Sequence, residues 1–323
     1  TIDSNMKVSA FDTSNGRRVW EKQLKAFDPH WDEFSVGGGL AISGNKLIVA
    51  TGFAYVAALD VTDGKEIWKT RTDSPMSSSA AILGNRAFLT STNNDFYAMD
   101  TDTGDIVWND QALSESARVL SSPSPAVSAD ILAVGYSSGE LIAYIPANGR
   151  RLWTDTLTST GRYTPLSAIN DIAGKPVVQD GVVYASSHSG VTVAIDARSG
   201  ARIWSKTFGS RQGPAIVGDY LFVVGTNSKV ACFNKIDGKL AWVRELPEFK
   251  DGNKEQRVVW TGPLVASDKL VLASSEGDVI ALSAQDGKTV HEMKVGQSIF
   301  IEPIAADGKV FVLTDQANLI AIK

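Results

Sequence analysis

The chain has 323 residues, of which 43% are hydrophobic and 21% charged, and its formal net charge is -5. This composition is near globular averages and excludes a disordered, collagen-like or membrane-spanning chain. The acidic balance gives no electrostatic reason to bind nucleic acid, and a single cysteine, Cys232, excludes an internal disulfide or a multi-cysteine metal site. Since the N-terminal residues lack the charged and apolar regions of a signal peptide, we expect any targeting segment to have been removed.

A strand-turn-strand unit recurs along the chain. Its first copy reads Ala10-Phe11-Asp12, followed by Gly16 and Trp20. Later copies keep this frame with drift, and in the seventh copy His291 takes the tryptophan position. The glycines of the frame are Gly16, Gly64, Gly104, Gly149, Gly200, Gly238 and Gly287. The tryptophans are Trp20, Trp68, Trp108, Trp153, Trp204 and Trp242.

The spacing of these glycines, 38 to 51 residues, is typical of a propeller blade of four strands. Each unit is preceded by β-branched runs that predict strands one and two, for example residues 176–178 and 181–184. The Ala-apolar-Asp signal then marks strand three, and the tryptophan closes strand four. Glycine supplies the positive φ of a tight turn, aspartate bonds turn amides, and tryptophan is best buried between neighbouring blades. The small alanine suits close packing towards the narrow centre.

The third-strand signal appears eight times, the last at residues 319–322, whereas residues 1–8 align with the end of a second strand. We therefore predict an all-β, eight-bladed β-propeller with four-stranded antiparallel blades, in one domain covering residues 1–323. The N-terminal part of blade one and the strand that closes blade eight are expected in an upstream segment. The alternative is a seven-bladed ring in which the strand of Trp20 completes the C-terminal blade.

These units resemble the quinoprotein-type propeller repeat. Over nearly the whole chain their order is similar to that of the BamB family, lipoprotein partners of the β-barrel assembly machine, with further matches at residues 169–176 and 301–309. The resemblance implies a non-catalytic scaffold without a cofactor at the periplasmic face of the bacterial outer membrane, held by a lipid anchor outside these residues. It implies binding to the periplasmic domains of BamA, the barrel-inserting subunit, and help in delivering and inserting outer-membrane proteins, with unfolded clients as further partners.

In that family the face that binds BamA includes two acidic residues before the blade-five proline. It also includes an apolar-plus-arginine segment before blade four. The first acidic position matches Asp171, whereas the second falls on Ala173, and the arginine before blade four is not at the aligned place. The resemblance implies these partner contacts: Asn170, Asp171, Arg118, Val119 and Leu120. By residue type alone, Asp171 is a solvated turn or cap residue and Val119 and Leu120 are buried.

Two other classes of protein are consistent with a propeller of this kind. The repeat also resembles that of the pyrroloquinoline-quinone dehydrogenases. The site of those enzymes contains a vicinal cysteine pair, which a chain with one cysteine cannot form. The calcium of that site would need several converging oxygen ligands, and the clustered acids belong to the turn frame: Asp60, Asp63, Asp100, Asp102 and Asp105. His30, His188 and His291 are too far apart for a local zinc signature. A periplasmic sensor or glycan-binding propeller stays open.

Two stretches lie outside the repeat. Residues 25–34 contain Trp31, and residues 246–260 contain Phe249, Arg257 and Trp260. Loops on rigid scaffolds commonly carry recognition, and Trp and Arg are frequent interface anchors. Both stretches therefore have two interpretations, as partner-binding loops or as local cover for the sheets.

Overall fold

The computed structural model describes residues 1–28, 37–113, 123–158, 170–250 and 254–323. In these ranges the backbone forms twenty-nine β-strands and no helix. The described residues therefore contain no helix that could cross a membrane. Strands that follow each other in sequence pair antiparallel, so the chain builds one small sheet after another.

Six sheets in the described part of the chain have four strands each. Their strands are β3 (Gly38–Ser43), β4 (Lys46–Thr51), β5 (Tyr55–Asp60) and β6 (Glu66–Arg71); β7 (Ala81–Leu83), β8 (Arg86–Thr90), β9 (Asp95–Asp100) and β10 (Ile106–Gln111); β11 (Ala126–Val127), β12 (Leu132–Gly135), β13 (Glu140–Tyr144) and β14 (Arg151–Thr156); β15 (Val177–Gln179), β16 (Val182–Ser186), β17 (Val191–Asp196) and β18 (Arg202–Thr207); β19 (Ala215–Val217), β20 (Tyr220–Val224), β21 (Lys229–Asn234) and β22 (Leu240–Glu245); and β23 (Trp260–Ala266), β24 (Lys269–Ser274), β25 (Asp278–Ser283) and β26 (Thr289–Lys294).

Two smaller sheets complete the described fold. One has three strands, β27 (Ile304–Ala306), β28 (Lys309–Leu313) and β29 (Leu319–Ile322), and the other has two, β1 (Lys7–Phe11) and β2 (Arg18–Gln23). These two sheets contact each other at what we call the seam: the Lys309 ammonium donates to the Thr13 carbonyl at 2.6 Å, and the Thr13 hydroxyl donates to Asp307 at 2.5 Å. The first and last sheets of the chain are therefore neighbours, as a ring requires.

The prediction of an all-β propeller built from four-stranded antiparallel blades is confirmed. When the seam is counted as one unit, the described sheets form seven blades, which matches the seven-bladed alternative rather than eight four-stranded blades. In that alternative the strand of Trp20 completes the C-terminal blade. In the structure this strand, β2, pairs with β1 instead.

Strand placement follows the sequence pattern closely. The predicted first and second strands of the fifth unit are β15 and β16, and those of the C-terminal sheet are β27 and β28. At the N-terminus, Ile2 forms an isolated bridge with Val8, as expected for the end of a second strand. His291 pairs with Ala281 in β26, which is the position that tryptophan occupies in the other copies.

The register explains the small residue of the repeat. Ala58 on strand three lies directly opposite Trp68 on strand four, and Cys232 lies opposite Trp242 in the same way. A small side chain at this position leaves room for the indole of its own sheet. The small residue thus accommodates the tryptophan of the neighbouring strand.

Each indole reaches across to the next sheet, as predicted for tryptophans buried between blades. The indole Nε1-H donates to a backbone carbonyl in the following strand-three-to-four turn, at 2.8 to 3.1 Å: Trp20 to Val61, Trp68 to Thr101, Trp108 to Pro146, Trp153 to Ala197, Trp204 to Lys235 and Trp242 to Ala284. Three residues beyond each acceptor lies a glycine of the repeat, and the ring packs on it. Hydrophobic side chains of neighbouring sheets fill the rest of this interface, so the core lies between blades.

Candidate functional site

The two ends of the strands carry different kinds of connection. Because consecutive strands are antiparallel, turns between strands one and two and between three and four emerge on one side, which we call the turn face. Connections between strands two and three, and from strand four to the next strand one, emerge on the other side, which we call the loop face. The turns of the turn face repeat one pattern, whereas the connections of the loop face vary in length and sequence. Variable connections on a regular scaffold are where recognition is expected.

Backbone hydrogen bonds fix the base of the loop face. The residue that follows strand four donates its backbone N-H to a backbone carbonyl in the turn between strands two and three of the same sheet, at 2.7 to 3.1 Å. The residue that carries this carbonyl has a positive φ. The described pairs include Leu24 to Met6, Thr72 to Ala54, Ala112 to Asn94, Leu157 to Gly139, Leu246 to Ser228 and Val295 to Gly277. The loops consequently start from defined positions, which lowers the entropy lost when they bind a partner.

The segment that contains Asp171 is held tightly on this face. The Asp171 carbonyl accepts the N-H of His188 at 2.8 Å, and the N-H of Ile172 donates to the Tyr136 carbonyl at 3.2 Å. The Asp171 side chain is only 2% exposed, so it is not the solvated turn residue that its residue type suggested. Asn170 is half-buried against Gly139. The other predicted contacts, Arg118, Val119 and Leu120, lie outside the described residues, as do His30 and Trp31.

A cavity of about 620 Å³ opens beside this segment. The cavity begins at His188, whose backbone N-H donates to the Asp171 carbonyl. From there it continues along the connections of the next two sheets. Its lining residues include Arg211, Arg257, Trp260 and Phe300. Sequence reasoning did not find Arg211 or Phe300, because neither belongs to the repeat frame and their proximity depends on the ring.

The described residues of the stretch 246–260 contact one another, and residues 257–260 line the cavity. Phe249 and Arg257 form a β-bridge, the Arg257 guanidinium pairs with Glu248 at 2.8 Å, and the Trp260 indole donates to the Pro247 carbonyl at 2.9 Å. The Arg257 guanidinium also lies 5.5 Å from the centre of the Phe249 ring. One loop therefore combines local cover with residues that line the cavity.

Of the other predicted loop, residues 25–28 are described. The Phe27 ring packs edge-on against Tyr55 at 5.5 Å, and the Lys69 ammonium lies 3.9 Å from the centre of the Tyr55 ring. The Lys69 ammonium also donates to the Lys25 carbonyl at 2.9 Å. The start of this loop thus packs against its own sheet, which agrees with its interpretation as local cover.

Two exposed apolar side chains, Val259 and Phe300, line the cavity, and Ile301 follows Phe300 in the sequence. All three are exposed, Phe300 by 57%. On the turn face, Ile236 is exposed in a single turn, and single apolar residues of this kind need no explanation. The cavity lining combines exposed apolar side chains and two arginines with Trp260, which is itself only 7% exposed, and this composition resembles that of a protein interface.

The acidic residues of the repeat serve the turns, as predicted. An Asp60 carboxylate oxygen accepts the hydroxyl and the N-H of Thr62, the latter at 2.8 Å, and these hydrogen bonds lower the pKa of Asp60. Asp100 accepts the N-H of Asp102 at 2.8 Å in the equivalent turn. In the described ranges no group of three or more His, Cys, Asp or Glu side chains could hold a metal ion.

Cys232 is expected to be unreactive in the folded protein. Its side chain is buried opposite Trp242, and burial raises the pKa of the thiol to about 12. Only the thiolate is nucleophilic, and the thiolate fraction is negligible below pH 10. Iodoacetamide at pH 8 should therefore label the unfolded chain in urea stoichiometrically and the native protein only at the rate of unfolding. Mass spectrometry of both samples measures this, and fast labelling of native protein would contradict the burial.

The geometry defines a class of protein: a β-propeller whose blades dock through tryptophan on glycine and whose irregular loops collect on one face. Residues 4–244 and 250–323 match the model of a family described as outer membrane protein assembly factor BamB. A relative of that name from Escherichia coli (strain K12) is 26% identical over 98% of this chain and 79% of its own length. The chain belongs to this family of outer membrane protein assembly factors.

Solved structures share the fold. The crystal structure of BamB from Moraxella catarrhalis superposes with a TM-score of 0.83 at 18% identity, over 99% of this chain and 92% of that one. A quinohemoprotein alcohol dehydrogenase from Comamonas testosteroni gives 0.68 at 13% identity, over 96% of this chain and 68% of that one. At such identities these likenesses concern the propeller alone.

Proposed function

We propose that this protein is a non-catalytic scaffold that binds the periplasmic domains of BamA through its loop face. The observation that carries this proposal is the cavity beside the Asp171 segment, where Trp260, Phe300, Arg211 and Arg257 converge. Tryptophan and arginine dominate interface hot spots. Membership of the assembly-factor family supports a role in outer-membrane protein assembly.

The predicted contacts take different roles in this proposal. Asn170 is half-buried on the loop face and contacts the partner at the edge of the surface. Asp171 is buried between the turns of Tyr136 and His188, so it acts as a positioning residue that fixes the loop. Arg118, Val119 and Leu120 stay proposed partner contacts and lie outside the described residues.

The same scaffold serves delivery and insertion of outer-membrane proteins. The outermost strand of each complete blade presents unpaired backbone groups, which an extended client segment can pair with by strand addition. We place the protein at the periplasmic side of the bacterial outer membrane, held there by a lipid anchor. A rigid ring that binds BamA at one face keeps such clients close to the barrel-inserting subunit.

Replacing Phe300 with aspartate tests the proposed surface. The ring is 57% exposed, so the change should leave folding intact, whereas a charge at the centre of an apolar contact loses about 1–2 kcal/mol of binding or more. We expect the Kd for purified periplasmic domains of BamA, measured by isothermal titration calorimetry, to rise at least tenfold.

Ile236→Asp is the matched control, because Ile236 is 65% exposed on the turn face. This variant should bind with the affinity of the wild-type protein. Loss of binding by Ile236→Asp with full binding by Phe300→Asp would assign the interface to the turn face. Absence of binding by the wild-type protein at low and moderate salt would overturn the proposed partner.

A further inference from the structure

The cavity beside the Asp171 segment has cationic lining residues, although the chain as a whole is acidic. The chain has 36 acidic and 31 basic residues, and its formal net charge is -5. Arg211 and Arg257 nevertheless line the cavity, and its described lining contains no aspartate or glutamate. Asp171, which the family resemblance assigns to the partner contact, is only 2% exposed and does not belong to this lining. A partner that enters the cavity therefore meets positive charge.

The two arginines differ in their ion pairs. Arg257 is paired with Glu248 at 2.8 Å, so part of its charge is neutralised within its own loop. Arg211 is exposed, and within the described residues it forms no ion pair. A guanidinium can bind a carboxylate through two parallel N-H···O hydrogen bonds. Arg211 is thus the position where a carboxylate of a partner adds an ion pair that the protein does not already make.

A buried serine fixes the backbone on both sides of Arg211. Ser210 is 0% exposed, its N-H donates to the Ser187 carbonyl at 3.1 Å, and its hydroxyl donates to the Val224 carbonyl at 2.6 Å. The same hydroxyl accepts the N-H of Gln212 at 2.9 Å. Because Ser187 and Val224 belong to different sheets, Arg211 is held between two blades. A side chain on a fixed backbone loses less conformational entropy when it binds a ligand.

Apolar residues of the lining are held at defined positions as well. Phe300 is 57% exposed and Val259 is 37% exposed. The Val259 N-H donates to the Ser275 hydroxyl at 3.0 Å, and its carbonyl accepts the Ser275 N-H at 2.9 Å. Phe300 follows Ile299, which is buried and donates its N-H to the Ser274 carbonyl at 3.1 Å. The cavity thus combines exposed apolar side chains with an unpaired cation.

We propose that the cavity binds an acidic segment of the partner polypeptide, in which a carboxylate pairs with Arg211 and an adjacent apolar side chain packs on Phe300 and Val259. Charge complementarity identifies the first group, and the exposed apolar lining identifies the second, because an inorganic anion would leave that lining uncovered. This inference rests on the proposed binding of BamA through the loop face and adds the chemistry of the bound segment.

Charge reversal at Arg211 tests the ion pair. Since Arg211→Glu places a carboxylate against the carboxylate of the partner, the Kd for the periplasmic domains of BamA should rise at least tenfold at low salt. Arg211→Gln removes the attraction without adding repulsion and should have a smaller effect. Salt screens charge pairs, so added NaCl should weaken the wild-type complex more than the Arg211→Gln complex. Isothermal titration calorimetry measures these affinities.

Arg150→Glu is the matched control. Arg150 is an exposed arginine in the turn between β13 and β14, on the turn face, and its reversal changes the net charge by the same amount. This variant should bind with the affinity of the wild-type protein. Equal losses in Arg150→Glu and Arg211→Glu would show an effect of net charge alone and would overturn the ion pair, as would wild-type affinity in Arg211→Glu.

Peptide binding separates this inference from the identity of the partner. The probe is the peptide SFDEFS with blocked termini, and the matched peptide SFNQFS lacks only its two charges. We expect the acidic peptide to bind the wild-type protein at least fivefold more tightly than the neutral peptide and to shift the Nε-H NMR signal of Arg211. In Arg211→Gln the two peptides should bind equally.

The outcomes distinguish the two proposals. If the acidic peptide binds as expected but the BamA domains do not bind the wild-type protein, the proposed partner is wrong and the acidic subsite stands. Equal binding of the two peptides to the wild-type protein, or no binding of either at millimolar concentration, would overturn the subsite even if the BamA domains bind. Displacement of the acidic peptide by equimolar inorganic phosphate would assign the cavity to small anions and would also overturn it.

Discussion

Replacing Gly149 with alanine is expected to lower the free energy of unfolding by about 2–5 kcal/mol. Two costs add. The residue has a φ of +72°, a conformation that costs an L-residue about 1–2 kcal/mol. In addition, the new Cβ would lie 2.6 Å from the Trp108 ring, so the indole or the turn must move, and such overpacking costs about 1–3 kcal/mol. The midpoint of urea unfolding, followed by tryptophan fluorescence, measures the change.

Gly181→Ala separates the two costs. Gly181 has nearly the same φ, +74°, but no described atom lies within 4 Å of its Cβ position. This variant should lose only the conformational part, about 1–2 kcal/mol. If Gly149→Ala and Gly181→Ala lower the midpoint equally, the glycines of the repeat are needed for their φ alone, and the docking of the indole is not a constraint.

The second large effect is expected at Trp204. This side chain is buried between two sheets, with its ring centre 6.2 Å from Tyr184 and 6.4 Å from Phe233. Truncation to alanine removes these contacts and leaves a cavity, so Trp204→Ala should lower the free energy of unfolding by about 3–5 kcal/mol. The loss is shared by two blades, and hydrogen exchange should therefore increase in both β16 and β20.

Two controls distinguish packing from other causes. Trp204→Phe keeps most of the ring but loses the hydrogen bond from Nε1 to the Lys235 carbonyl, and it should fall between the wild type and the alanine variant. Val290→Ala truncates an exposed side chain on an outermost strand and should change stability by less than about 0.5 kcal/mol. A Trp204→Ala protein as stable as Val290→Ala would refute the docking of blades by indoles.

The blade itself was predictable because its signals are local. Glycine and aspartate mark the turn, tryptophan marks strand four, and each of these reports on a few neighbouring residues, as at Asp60, Gly64 and Trp68. The sequence also indicated that tryptophan lies between blades. It did not indicate that the ring of one blade packs on the glycine of the next, since that pairing joins residues about forty positions apart, such as Trp108 and Gly149.

The candidate site was less predictable, because it depends on contacts between loops of different blades. Asp171 has the residue type of a solvated turn, but its segment is bonded to the turns of Tyr136 and His188 and becomes buried. Arg211 and Phe300 are separated in sequence by two complete blades, β19–β22 and β23–β26, and both line the cavity because the sheets are arranged in a ring. Periodicity contains no information about such irregular connections.

The fold and the proposed function are linked through rigidity. Indoles and glycines join six pairs of neighbouring described sheets on the turn face, and backbone hydrogen bonds fix the start of the described loops on the opposite face. A partner that binds the loop face thus meets a surface with little conformational freedom to lose. This division leaves one face for stability and the other for recognition.

Hydrogen exchange of the whole protein, alone and with the periplasmic domains of BamA, tests this division most directly. The account predicts slower exchange on binding in the loop-face segments around residues 170–172, 187–190, 208–214 and 254–260, with no change in the turns at residues 60–64, 100–104 and 234–238. Slower exchange confined to those turns, or none anywhere at saturating BamA domains, would contradict it.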